Sequence, residues 1–428
     1  MKKYLFFLLS LLCTAHLHAQ VVVEEEEVAD TCLAEADVLI NDTFDTDSLT
    51  PTSLPTDSLP WPLNVQARID SLLQSSIFET STVGLMVYDL TADSALYLHH
   101  HRQLLRPAST MKLLTAITAI DRLGGSYQLR TSLYYKGTID NRTLCGDLIC
   151  VGGMDPRFNS DDMRAFVESL QRMGIDTLRG RIVADCSMKD TLRWGEGWCW
   201  DDDNPTLSPL LIGKKANFTE RLLKELTDQG IVLSGVVTTY GTRPVDAKFI
   251  CSRTHTIDQI LGRMMKESDN LYAEAMFYQI AAATGNRPAT AKHARTLMQQ
   301  LIRQMGLNPK GYRMADGSGL SLYNYLSAEL LVRLLRYAWH NQQVYDLLQP
   351  SLPIAGEDGT LKKRMKSPFT SGNVRAKTGT VTGVSSLAGY CTAANGHELC
   401  FAIINQGIMH NNTGRHFQDR ICMALCQP

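Results

Sequence analysis

Ser109 and Lys112 stand three residues apart, directly ahead of a run patterned as an amphipathic helix. Leu113, Ile117, Ile120 and Leu123 recur at spacings of four, three and three, and Gly124-Gly125 then end the run. One helical turn puts the serine hydroxyl and the lysine amine on the same face, close enough for one to take the other's proton. The helix start adds unpaired N–H groups and a partial positive charge, both favourable to a developing alkoxide. A capped surface helix has the same local pattern, since serine is favoured at helix starts and lysine on solvated faces. The S-x-x-K pattern occurs once in the chain, so the rest of the sequence must decide between a cap and a nucleophile.

The N-terminal region differs from the rest. Lys2-Lys3, the apolar run Tyr4 to Cys13 and the small residue Ala19 pattern residues 1–19 as a secretory signal, with an apolar run too short to span a bilayer. Leu12 before Cys13 argues against a lipid-modified cysteine. Residues 20–60 hold eleven Asp and Glu and no Lys or Arg, with prolines at 51, 55 and 60, the composition of a disordered tether. The formal charge of −2 therefore conceals an acidic segment of −11, a signal of +2 and a body of +7 over residues 61–428. That balance argues against nucleic acid as a partner and suits carboxylate-bearing ligands. An exported, periplasmic or cell-envelope protein with no transmembrane span after signal cleavage is expected.

The body reads as an α+β fold. A helix at residues 65–73 precedes strands Val83 to Tyr88 and Ala95 to Leu98, and the S-x-x-K helix follows. Residues 131–251 pattern as a small mixed inserted domain, with strands at 132–135, 144–151, 180–184 and 232–239 and helices at 161–173 and 218–229. Trp194, Trp198 and Trp200 beside Asp201-Asp202-Asp203 read as a packing corner rather than a sugar site. Helices return from Thr256, including a stretch over 327–349. Strands at 375–381, 386–392 and 399–404 and a helix around 415–425 close the chain. A sheet built from both chain ends, with segments 61–130 and 252–428 forming one domain, is the expected architecture.

Two further motifs complete a set. Ser268-Asp269-Asn270 follows an apolar helical stripe, and Lys377-Thr378-Gly379, present once, lies on an expected strand. S-x-x-K, S-x-N and K-T-G in this order resemble the signature of penicillin-binding proteins and class A β-lactamases. Ser268 lies 159 residues after Ser109, and no Glu-x-x-x-Asn occurs between Asn270 and Lys377. Both features depart from class A β-lactamases. They resemble the low-molecular-weight class C penicillin-binding proteins, the D-alanyl-D-alanine carboxypeptidase/endopeptidases. Gly146-Asp147-Leu148, Val151 to Pro156, Gly180 to Asp185, Asp316 to Ser321, Gly356 to Leu361 and Ala376 to Val384 carry the same resemblance. After Pro209-Leu210-Leu211 the inserted region is shorter than in that family.

The resemblance implies an antiparallel sheet flanked by helices and an acyl-enzyme reaction on peptidoglycan stem peptides, inhibited by β-lactam antibiotics. Ser109 is the expected nucleophile and Lys112 its base, with an amine pKa lowered by nearby cations, Lys377 and Lys266. Ser268 relays the proton to the leaving amine, and Asn270 bonds the substrate peptide. Lys377 and Thr378 hold the terminal carboxylate, and Gly379 keeps the strand bare for the substrate. Backbone N–H groups of Ser109 and Thr380 form the oxyanion hole. No cofactor and no metal are expected. A catalytically reduced wall-binding or scaffolding homologue and a serine β-lactamase are the competing readings.

An exported chain permits disulfides, and ten cysteines remain without Cys13. Asn395-Gly396 between two apolar runs signals a two-residue hairpin turn. In that register Ala394 faces His397 and Cys391 faces Cys400 at a non-hydrogen-bonded site, placing the two thiols within bonding reach.

Overall fold

The structure is a computed structural model that describes residues 59–200 and 204–428. The signal expected over 1–19, all but the last two residues of the expected tether, and Asp201-Asp202-Asp203 lie outside the described residues.

The described chain opens with helix α1 (Leu63–Leu73) and the hairpin of β1 (Thr82–Asp89) and β2 (Ser94–His99). A 3-10 turn, Ala108–Thr110, leads into α2 (Met111–Leu123), which ends where Gly124 takes φ +80°. The middle of the chain forms β3 (Gln128–Asp140), β4 (Thr143–Val151), α3 (Ser160–Arg172), β5 (Thr177–Asp185) and α4 (Phe218–Asp228). Short strands β6 (Val232–Leu233) and β7 (Val237–Tyr240) then lead to β8 (Lys248–Thr256). Five helices follow: α5 (Ile257–Lys266), α6 (Asn270–Ala282), α7 (Ala291–Gln304), α8 (Ala328–His340) and α9 (Gln342–Ser351). Strands β9 (Arg375–Val381), β10 (Val384–Thr392) and β11 (Glu398–Gln406) and helix α10 (Asn411–Cys426) complete the chain.

The sheet that carries the site has the order β2-β1-β11-β10-β9 and is antiparallel throughout. β1 pairs with β11 from Thr82↔Gln406 to Asp89↔Leu399, so the two ends of the body do build one sheet. The two-residue period of a strand divides its side chains between two cores. Met86, Tyr88, Ala402 and Ile404 pack with the helices of the chain's middle. Leu85, Val87, Phe401 and Ile403 pack on the other face with Val65 and Ile69 of α1 and Phe417, Ile421 and Leu425 of α10. α6 runs through the first core against α2 and is buried on nearly all sides, which is why its sequence is apolar without a polar face.

The second sheet, β6-β5-β4-β3-β8 with β7 also on β5, mixes antiparallel β3–β4 and β3–β8 pairs with parallel β4–β5. It has its own core, in which Phe158, Phe166 and Phe218 stack beneath α3 and α4. The α+β class holds. Two expected elements are split. Residues 232–239 divide into β6 and β7 around Gly235 at φ +65°, and 327–349 divides into α8 and α9 at Asn341, where φ −119° and ψ 95° are extended. β8 has no counterpart in the sequence reading and runs across the boundary expected at residue 251.

The Cys391–Cys400 pairing is contradicted. Ala393 N–H donates to His397 O and Gly396 N–H to Ala393 O, so the loop has three residues, with Gly396 at φ +83°. The register becomes Cys391↔Leu399 and Tyr390↔Cys400. A one-residue slip exchanges the faces of a strand. Cys391 therefore lies in the α10 core and Cys400 in the helical core on the opposite side.

Candidate active site

Ser109 sits in the 3-10 turn rather than in α2 itself, and Ala108 before it takes φ +46°. The turn is fixed to the sheet at Pro107 O, which accepts from Thr110 Oγ1 at 2.6 Å and from Ser386 Oγ of β10 at 2.6 Å. One residue into α2, Lys112 is wholly buried. Its Nζ reaches three oxygens: Ser109 Oγ at 2.9 Å, Asn270 Oδ1 at 2.7 Å and the Ser318 carbonyl at 2.9 Å.

Asn270 is placed by the start of α6. Asp269 caps that helix by accepting from Tyr272 N–H, and its carboxylate is paired with Arg263 at 3.0 Å and Lys214 at 3.5 Å. Ser268 before it is held at φ +59°, a left-handed conformation that costs a non-glycine residue about 1–3 kcal/mol unless its surroundings enforce it. Its hydroxyl accepts from Lys377 Nζ at 2.8 Å, and Lys377 also donates to Thr378 O at 2.8 Å.

The expected site residues therefore form two hydrogen-bonded groups, Ser109–Lys112–Asn270 and Ser268–Lys377. Thr378 Oγ1 is bonded to Thr360 Oγ1 at 2.7 Å, and Thr380 Oγ1 accepts from Arg415 at 3.5 Å. β9 is the outer strand of its sheet, so alternate backbone N–H and C=O groups of Thr378 to Thr380 have no strand partner. Gly379 has a use beyond a bare strand. A Cβ there would lie 2.2 Å from Ser386 Oγ, 2.8 Å from Pro107 O and 2.9 Å from Ser109 N, so glycine lets β9 close against the serine turn.

Burial pushes the Lys112 amine down to about 8, against the opposing charges of Asp316, Glu274 and Asp269. The cation mechanism expected from the sequence is thus corrected: desolvation is the cause, and Lys266 is engaged by Asp358. Lys377 is held well below the ordinary lysine range, first by burial and then by the charge of Lys112. Among the described residues no carboxylate pairs with it.

The turn Asp316 to Ser321 contributes the third contact to Lys112, a role that motif spacing does not reveal. Glu274 lies beneath it, bonded to the Gly317 and Ser318 N–H groups, and belongs to none of the motifs. The signal was an acid among apolar residues four positions after Asn270, hence on the same helical face. Trp198 is a packing residue, donating from Nε1 to Asp316 Oδ2 at 2.9 Å, while Trp194 and Trp200 are exposed.

This scaffold and these residues define a serine-type peptidase. The chain belongs to the D-Ala-D-Ala carboxypeptidase 3 (S13) family, whose description matches residues 65–213 and 210–427. It is 24% identical over 429 residues to D-alanyl-D-alanine carboxypeptidase DacB of Haemophilus influenzae, covering 80% of this chain and 88% of that protein. It is 26% identical over 456 residues to D-alanyl-D-alanine carboxypeptidase of Actinomadura sp. (strain R39), covering 84% of each. The crystal structure of penicillin binding protein 4 (dacB) from Haemophilus influenzae superposes with a TM-score of 0.76 at 22% identity, over 83% of this chain and 97% of that one.

Proposed function

We propose that the protein is a serine-type D-Ala-D-Ala carboxypeptidase, endopeptidase or both. It acts on peptidoglycan stem peptides in the periplasm or cell envelope, and penicillins acylate it. Family membership and the carboxypeptidase names of its relatives support this reading. Among the described residues no helix is long and apolar enough to cross a membrane.

The observation that carries the proposal is the set of partners around Lys112 Nζ. The Asn270 Oδ1 and Ser318 carbonyl oxygens can only accept hydrogen bonds. A neutral amine has two N–H bonds and one lone pair. Its N–H bonds go to those two oxygens, and the lone pair is left facing the Ser109 hydroxyl. With the amine neutral, the proton has one direction to travel, from serine to lysine, and burial, which lowers the amine to about 8, brings that neutral form within reach.

Ser109 Oγ attacks the carbonyl of the penultimate D-Ala, forming the ester bond as its proton passes to Lys112. The N–H groups of Ser109 and Thr380 receive the oxyanion. The C–N bond then breaks, and the terminal D-Ala amine takes a proton through Ser268. Lys377, buried without a carboxylate of its own, pairs with the substrate's terminal carboxylate, with Thr378 beside it, and Asn270 bonds the substrate peptide through its amide N–H. Water then attacks the ester carbonyl as Lys112 takes its proton, the ester C–O bond breaks, and the proton returns to Ser109 Oγ as the shortened peptide leaves with a free carboxyl group.

The test is a labelled penicillin together with a D-Ala release assay on a stem pentapeptide. Wild type should form a long-lived adduct and release D-Ala. Ser109→Ala should do neither, with a folded-state stability within about 1 kcal/mol of wild type. An adduct forming at an unchanged rate in that variant would sink the assignment. Rapid penicillin turnover would identify a β-lactamase, and no adduct with wild type a scaffold.

A further inference from the structure

Glu274 stands one helical turn after Asn270 on α6 and is 1% exposed. Its Oε1 accepts the N–H groups of Gly317 at 3.0 Å and Ser318 at 2.8 Å, and the Ser318 hydroxyl also bonds to its carboxyl group. Those N–H groups belong to the turn whose next carbonyl, Ser318 O, holds Lys112 Nζ. The remaining groups of the turn are held as well. Thr115 Oγ1, one turn after Lys112 on α2, donates to Gly317 O at 2.6 Å, and Asp316 Oδ1 accepts Gly319 N–H at 2.8 Å. Gly319 takes φ +84°, and a Cβ there would lie 1.9 Å from Ala108 O, so the turn rests on the residue preceding Ser109.

Among the described residues, charged or titratable groups surround Glu274 from several elements. Lys112 comes from α2, Asp316 from the turn and Tyr278 from α6 itself. Arg295 of α7 lies across a cavity of about 370 Å³ and is paired with Glu196 at 2.9 Å. Burial and the charge of Asp316 push the Glu274 carboxyl up to about 8, the range to which burial lowers Lys112.

Resting on the proposed acyl-enzyme reaction, we infer that Glu274 is a positioning residue for it. Glu274 clamps the carbonyl that orients Lys112 and competes with that lysine for one buried proton. Two arrangements of that proton have equal net charge. With Glu274 protonated and Lys112 neutral, the lysine can accept from Ser109. With Glu274 ionised and Lys112 an ammonium, it cannot. The carboxylate stabilises the second arrangement and so delays the full appearance of neutral lysine as pH rises.

Glu274→Gln keeps the Oε1 acceptor for both N–H groups and removes the competing charge. Glu274→Ala removes the clamp. The experiment is the second-order rate of acylation by a fluorescent penicillin from pH 5.5 to 10. In Glu274→Gln the pH of half-maximal rate should fall by roughly half a unit to one unit, and the rise should narrow to a single ionisation, with the plateau within about twofold of wild type. In Glu274→Ala the plateau should fall by about tenfold or more, which the conservative variant rescues. An unmoved midpoint in the Gln variant would overturn the shared proton, and a wild-type plateau in the Ala variant would overturn the clamp. Failure of wild type to be acylated at all would instead remove the acyl-enzyme reading, and this inference with it.

Discussion

Gly379→Ala tests whether the close approach of β9 to the serine turn sets the reaction geometry. The added Cβ would meet Pro107 O at 2.8 Å and Ser109 N at 2.9 Å, where ordinary contact begins at 3.4 Å. Strand and turn must therefore part by about 0.5–0.6 Å. The third neighbour, Ser386 Oγ at 2.2 Å, is the end of a side chain, but it bonds Pro107 O at 2.6 Å and cannot rotate away without releasing the turn. Overpacking of this kind costs roughly 1–3 kcal/mol of stability. Near-attack geometry is less forgiving: a displacement of about 1 Å costs roughly a hundredfold in rate, so half of that should cost about tenfold. The rate of fluorescent-penicillin acylation, read beside a thermal melt, separates the two effects. Acylation should fall by about tenfold under conditions where the variant is still folded. Adding Ser386→Ala should recover little, because the backbone atoms of Pro107 and Ser109 remain in the way. A single variant acylating within twofold of wild type would refute the argument, and full recovery in the double variant would shift the obstruction to the Ser386 hydroxyl.

Wild-type acylation should rise with pH and approach its plateau above about 8. A lysine base works only when neutral, and burial lowers Lys112, the base of the proposed reaction, to about 8. A rate already flat from pH 5.5 upward would deny lysine that task. Lys377→Ala should lower acylation by penicillins and hydrolysis of carboxylate-ended peptides by about a hundredfold, and hydrolysis of an uncharged activated ester by much less, since only the former present a carboxylate, whose charge would favour the protonated form of the buried Lys377 amine. Equal losses on all three, measured as kcat/KM for the peptide and ester and as acylation rate for the penicillin, would mean that Lys377 acts through Ser268 or Lys112 instead.

Local pattern carried much of the fold. The four-three-three spacing after Lys112 placed the end of α2 at Leu123 and its start to within two residues, because burial on a helix face leaves a period, whereas β1, β10 and β11 showed as near-continuous apolar runs because both their faces are buried. Where a residue's partner lies far along the chain, no period records it. β8 leaves no period because its nine residues, Lys248–Thr256, are only half-buried at an edge and mix charged, polar and apolar types. Asn395-Gly396 signals a two-residue turn, but the loop has three residues, and the third puts Cys391 and Cys400 in opposite cores.

The sequence by itself determined which residues could do chemistry: a serine and lysine one turn apart, a second serine with an asparagine, and a lysine on a strand. Spacing along a helix or strand fixes which side chains share a face, and that much is local. Only the tertiary structure decided what those groups are. Lys112 is suited to the proposed role of base because α6 and the Asp316 turn bury it and offer it two acceptor-only oxygens, from residues 158 and 206 positions away. Dielectric surroundings and hydrogen-bond direction belong to the packed molecule. No stretch of chain carries them alone.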